Sequence, residues 1–195
     1  MPQKSLADFS FLDAPSWEVA PQLLGCELER IFDDGSVVRV KIVEVEAYDQ
    51  SDEASHSYRG KTMRTETMFG SSGHLYVYFT YGMHYCANIV TSGAGRGAGV
   101  LLRAVEPITG IDIIENRRKT TGVNATNGPA KLAQALGIDF DMRGHDLRSG
   151  SLRLIPYSPL PRSQIVASPR IGISRAKDTL WRFYIKDNSY VSKPN

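Results

Sequence analysis

The chain has 195 residues, 42% hydrophobic and 23% charged, which is the composition of a globular protein and not of an intrinsically disordered one. No apolar run approaches the roughly 20 residues of a membrane span, and residues 1–15 lack the apolar stretch of a secretory leader. The net charge of +2 hides a gradient: residues 1–60 carry 5 Lys/Arg against 12 Asp/Glu, and residues 142–195 carry 10 against 3.

In chain order, "DAPSWEVAPQLLG" (13–25) reads as a short helix, with Asp13 or Ser16 as cap, Gly25 as stop and Pro21 limiting its length. "CELERIF", the turn "DDGS" and "VVRVKIVEVEAY" read as one β-hairpin, and "HLYVYFT", "YGM" and "HYCANIVT" as a second. The glycine run "GAGRGAG" fails as a nucleotide loop. Ala98 breaks the G-x-G-x-x-G spacing, and a strand follows where a phosphate-binding helix would start. It is expected to be a mobile loop, with Arg96 available to a phosphate. The strand "VLLRAVEP" then closes at Pro107. "ITGIDIIENRRK" and "NGPAKLAQALG" read as helices, the second with Pro129 in its first turn and Gly137 at its end. "SLRLI" and "WRFYI" are strand patches among Pro/Ser turns. Paired hairpins point to an α+β fold: one compact domain over residues 1–195, with a curved, mainly antiparallel sheet flanked by helices.

"EVEAYDQSDEASHS" (44–57) is dense in chemistry, with five carboxylates, a tyrosine and a histidine. A metal cage, a solvated turn and one working acid among bystanders all fit it. Period two places Val38, Val40, Ile42, Glu44, Glu46 and Tyr48 on one strand face. An inward-facing face would leave a partly buried glutamate, a better proton acceptor near neutrality, beside an aromatic wall. Solvated strand-end glutamates are the competing account. Asp49, Asp52, Glu53, His56, His74 and His84 could ligate a metal, but none falls in a recognised ligand spacing. In "LYVYFTYGMHY", Tyr76 and Phe79 read as core, whereas Tyr81 at the hairpin tip reads as exposed and suited to stacking on bases. No G-x-S-x-G elbow is present, and Cys26 and Cys86 lie far apart, as reduced thiols of a cytoplasmic protein would. The C-terminal cations suggest an anionic partner, commonly a polyphosphate; nucleic acid and a merely solvated basic face both account for them.

Ordered blocks carry a resemblance: "LLG", "VEVEAY", "DEASHS", "MFGSSGHLYVYFTYGMHYCANIV", "GAGVLLRAVEP", "NGPAKLAQALGI" and "PRIGIS". Together, from about residue 10 to 190, they resemble the alkyladenine (3-methyladenine) DNA glycosylase family. The resemblance implies excision of alkylated or deaminated purines from double-stranded DNA by a monomer that needs no cofactor and no metal. It implies Glu46 as the base that activates water, with Arg103 and the backbone carbonyl of Ile171 holding that water. Tyr48, His56 and Tyr78 correspond to walls around an everted base, and Asn88 to a pocket residue that discriminates purines. Tyr81 corresponds to the side chain filling the vacated stack. Met83, Arg64 and Lys131 are expected at the DNA, with phosphate contacts from the basic C-terminal third. Asp49, Asp52 and Glu53 are left as loop solvation or structural caps. A non-catalytic damaged-DNA-binding module and a metal-dependent nucleotide hydrolase are the alternatives.

Overall fold

A computed structural model describes residues 8–192. The start of the segment read as lacking a leader, and Lys193, lie outside the described residues. The spine is β2 (Val37–Tyr48), whose one edge pairs along its length with β5 (Gly99–Thr109). Its other edge is shared: β1 (Glu27–Ile31) takes the first half, and β8 (Arg182–Ile185) takes Glu44, Val45 and Glu46. The β3 (Leu75–Thr80) and β4 (His84–Val90) hairpin extends the sheet beyond β5, and β6 (Leu152–Ile155) extends it beyond β1. β7 (Ile165–Ser168), absent from the sequence reading, pairs with β8. Among the described residues every strand pairing is antiparallel, and the curled sheet is accompanied by three α-helices, an α+β fold.

The helices are shorter than their sequence signals. α1 covers Ser16–Leu23 and continues through Pro21, with Pro15 rather than Asp13 or Ser16 at its cap. Burial of Val19, Ala20 and Leu23 against the sheet offsets the hydrogen bond that the proline removes, at about 1.5–3 kcal/mol per large apolar side chain. α2 is Ile111–Arg118, because β5 does not stop at Pro107. The strand absorbs that residue at a register shift, where Arg39 faces Thr109 and Val40 faces Pro107. α3 (Pro129–Leu136) starts on its proline and ends at Gly137, whose φ of 61° is a left-handed cap.

Strict alternation along β2 does not hold, and this decides where the chemistry sits. Register shifts interrupt the β2–β5 ladder between Ile42 and Glu44 and between Glu44 and Val45. A bulge advances the side-chain phase by one residue. The core therefore takes Val38, Val40 and Ile42, then Val45 and Ala47. Glu44, Glu46 and Tyr48 leave the face of Val38, Val40 and Ile42 and project away from that core. β5 changes phase with it: Val100, Leu102 and Val105 enter the core, while Leu101 and Arg103 line a cavity.

Candidate active site

The cavity has a volume of about 780 Å³, within the range of sites that enclose a small ligand. Its lining brings together nine of the expected residues: Glu46, Tyr48, His56, Arg64, Tyr78, Tyr81, Asn88, Arg103 and Ile171. Met83 stays outside, exposed on the β3–β4 turn beside Tyr81. Lys131 also stays outside; half-buried, it donates to Asn127 Oδ1 at 2.7 Å.

Glu46 is wholly buried rather than at an edge. Its Oε2 accepts the Tyr48 hydroxyl at 2.8 Å, and its Oε1 accepts the Ile171 amide N–H at 2.8 Å. Arg103 Nη1 lies 3.3 Å from the same Oε1. Ile171 thus meets the glutamate through its N–H, whereas the resemblance assigned a task to its carbonyl. Burial pulls the Arg103 guanidinium down, but Glu46 and Glu44 outweigh it and hold its pKa above the ordinary value.

The walls are aromatic. His56 meets Tyr78 edge to face, ring centroids 4.7 Å apart, and Tyr76 stacks on Tyr78 at 5.7 Å. Burial, then the Glu46 charge, pushes the Tyr48 hydroxyl far above its ordinary pKa; burial, then Cys86, does the same for Tyr78. Both remain neutral phenols. His56 is exposed on its outer side, but desolvation of its inner side against Tyr76 and Tyr78, and then the adjacent Arg64, push its pKa down to about 4. Its Nδ1 is 3.1 Å from Tyr76 Oη, and its Nε2 is 3.5 Å from Arg64 Nη2. Arginine only donates, so Nε2 is the accepting nitrogen and Nδ1 carries the proton toward Tyr76. Asn88, buried, donates to the Tyr76 carbonyl at 3.3 Å. Tyr76 was read as core only. It is 1% exposed and yet lines the cavity, and its alternation with Tyr78 was the available signal.

Two of the loop acids are held by arginines, and the third faces solvent. Asp49 is buried and bound by Arg96, Nε to Oδ2 at 2.9 Å and Nη2 to Oδ1 at 2.7 Å. Arg96 is therefore engaged internally and the glycine run is tied down. A Cβ on Gly97 would come within 2.6 Å of both Ser57 and Phe69. Asp52 pairs with Arg170, whose Nη2 reaches Oδ1 at 3.0 Å and whose guanidinium lies 4.7 Å from the centre of the Tyr48 ring. Both acids also cap turns, toward the amides of Ser51 and Ala54. Glu53 is exposed at the cavity rim, 3.9 Å from Arg175.

The basic C-terminal third is correspondingly less free than its composition suggested. Arg170 and Arg182 are buried in ion pairs, Arg153 binds Glu29, Arg148 binds Asp146, and Arg143 donates to the carbonyls of Met63 and Arg64. Arg59, Arg64 and Arg175, exposed and lining the cavity, are the cations placed at its opening. Among the described residues no helix is long and apolar enough to cross a membrane.

Comparison with known proteins gives the chain a family. The family model described as methylpurine-DNA glycosylase matches residues 10–189. A protein of Carboxydothermus hydrogenoformans named "Putative 3-methyladenine DNA glycosylase" is 52% identical over 177 residues, covering 90% of this chain and 92% of its own. Proteins of the same name from Methanoculleus marisnigri and Chlorobaculum parvum are 45% and 46% identical, covering 94% and 93% of this chain and 97% and 88% of their own. A match running from the first turn of the described chain to the segment beyond β8 takes in every wall of the cavity. The chain belongs to the methylpurine-DNA glycosylase family, hydrolases of the base-excision repair of alkylated purines.

Proposed function

We propose that this chain, acting as a monomer on double-stranded DNA, everts alkylated or deaminated purines into the cavity and hydrolyses the N-glycosidic bond with water activated by Glu46. The reading rests chiefly on one observation: a wholly buried carboxylate, held by the Tyr48 hydroxyl, the Ile171 amide and Arg103, in a cavity walled by tyrosines. Substrates of this class include 3-methyladenine, 7-methylguanine, hypoxanthine and ethenoadenine.

The base is stacked and paired in the duplex, so extrusion costs a few kcal/mol, least for a damaged pair. Tyr81, 85% exposed at the hairpin tip, offsets that cost by filling the gap. Tyr48 and Tyr78, neutral and electron-rich, favour an alkylated purine that already carries positive charge, by about 0.5–2 kcal/mol. Glu46 takes a proton from water as the C1′–N bond breaks and the sugar passes through an oxocarbenium-like state. The water oxygen bonds C1′ as the C1′–N electrons pass to the purine; a cationic alkylpurine leaves as the neutral base, a neutral purine leaves after its ring takes up a proton from solvent, and an abasic site remains. Asn88 touches the base edge, and Arg64 stands at the opening, where the phosphates pass. Met83 contacts the duplex beside Tyr81, and Lys131 sits at its margin.

The test is single-turnover base release from a duplex holding one hypoxanthine or methylated purine. Glu46→Gln keeps the shape and removes the base, and release should slow by at least ~10²-fold. Turnover near that of the unaltered protein would remove Glu46 from the role. Binding of the lesion duplex without base release by the unaltered chain would establish the binding-module reading instead.

A further inference from the structure

Behind Glu46 lies a second carboxylate that the mechanism does not use. Glu44 is wholly buried and receives four donors. Its Oε1 accepts Arg182 Nε at 2.7 Å, Ser192 Oγ at 2.8 Å and Arg103 Nε at 3.1 Å, and its Oε2 accepts the Ser192 amide at 2.6 Å. Arg182 is tied in turn to the Ser192 carbonyl at 3.0 Å and the Ser168 hydroxyl at 3.1 Å. Two arginines and two glutamates therefore form one buried cluster, and Arg103 is the member reaching both carboxylates: Nε to Glu44, Nη1 to Glu46.

A guanidinium is a planar fork, so fixing Nε fixes the direction of both terminal nitrogens. Burial alone would leave Arg103 free to turn toward either acid. With Oε1 of Glu44 shared between Arg103 and Arg182, the Arg103 plane is set and Nη1 is presented to Glu46. The β2 bulge makes this possible, because it turns both glutamates to the cavity side of the strand.

We infer that Glu44 is a positioning residue for Arg103, locked by Arg182 and by Ser192, so that the segment following β8 is coupled to the catalytic step. The inference rests on the functional reading above and adds a residue to it. Glu44 touches no substrate; it acts by holding Arg103 where Glu46 and the attacking water need it.

A double-mutant cycle tests this. Glu44→Gln should slow single-turnover release of hypoxanthine from duplex DNA by about 10–100-fold, the usual loss for an outer residue that orients a catalytic group, and should add less than about 2-fold in an Arg103→Gln background. Binding of a duplex carrying a non-hydrolysable abasic analogue should stay within about 3-fold of the unaltered protein. Ser192→Ala, which deletes one donor and leaves the pair of charges, should slow release by a few-fold, again only when Arg103 is present. It carries the test if Glu44→Gln does not fold. An equal proportional loss in both backgrounds, or no loss beside a lowered Tm, overturns the inference. Failure of the unaltered protein to release any purine would instead sink the functional reading, which separates the two outcomes.

Discussion

Tyr48 performs two tasks at once. Its hydroxyl holds Glu46 Oε2, and its ring lies against the Arg170 guanidinium, 4.7 Å from the ring centre. His56 is set differently, as a neutral imidazole whose two nitrogens are already committed to Tyr76 and Arg64. Its pKa is pushed down to about 4, against 6.5 for the free side chain. Between those values the unfolded chain takes up a proton that the folded chain refuses, so folding stability falls as pH drops from 6.5 toward 4. His56→Gln carries no such proton. Thermal unfolding at pH 7 and pH 5 should therefore show a smaller decrease in Tm for the variant than for the parent. An equal decrease would mean that His56 is free to protonate where it stands.

The β3–β4 hairpin carries backbone strain at its tip. Its turn runs from Thr80 to Met83, with the Met83 amide on the Thr80 carbonyl at 3.3 Å. Tyr81 and Gly82 have φ of 51° and 68°, the values of a type I′ turn. Glycine adopts that geometry freely, but a tyrosine there costs roughly 1–2 kcal/mol in backbone strain. Asparagine tolerates the left-handed region. Tyr81→Asn should raise the free energy of unfolding by about 0.5–1 kcal/mol while slowing release from duplex DNA, with release from an already extrahelical base nearly unchanged. Equal slowing on both substrates would place Tyr81 in the chemistry rather than in eversion. The Phe79 and Tyr85 rings, 5.0 Å apart on facing positions of the two strands, stiffen the arms that carry this turn.

Across the whole molecule, buried ion pairs join segments far apart in sequence. Asp52 and Arg170 are 118 residues apart, and Glu44 and Arg182 are 138 apart. Arg170 also donates to the Ala47 carbonyl at 2.9 Å, so it fixes the strand end bearing Glu46 and Tyr48 to the segment bearing Ile171. Asp52→Asn leaves Arg170 buried without its counter-charge and should cost about 3 kcal/mol of stability, read by denaturant unfolding. A loss below about 1 kcal/mol would show that the segment is held by packing on Trp181, whose ring stacks on Trp17, and not by the charge pair.

The hairpins, the two later helices and the strand patches were legible because alternation, turn residues and caps act over a few neighbours. The same local logic drew attention to the Glu44–Tyr48 stretch and the Tyr76–Tyr81 stretch, and the ordered blocks named the family and picked Glu46 over Glu44. Three things were not legible. The β2 bulge shifts the phase at Glu44 by pairing with β5, and no residue of β2 announces it. The cluster around Glu44 joins positions 44, 103, 182 and 192, which only folding brings together. The C-terminal arginines looked like a phosphate-binding surface because composition counts charges without their partners; burial of Arg170 and Arg182 against Asp52 and Glu44 is settled by desolvation, which a linear chain does not display. The sequence by itself determined the elements and, through the ordered blocks, the family and the acid it nominates as the base. The tertiary structure decided which face that acid occupies and what holds it, because side-chain phase and charge pairing are set by contacts between strands and not along them.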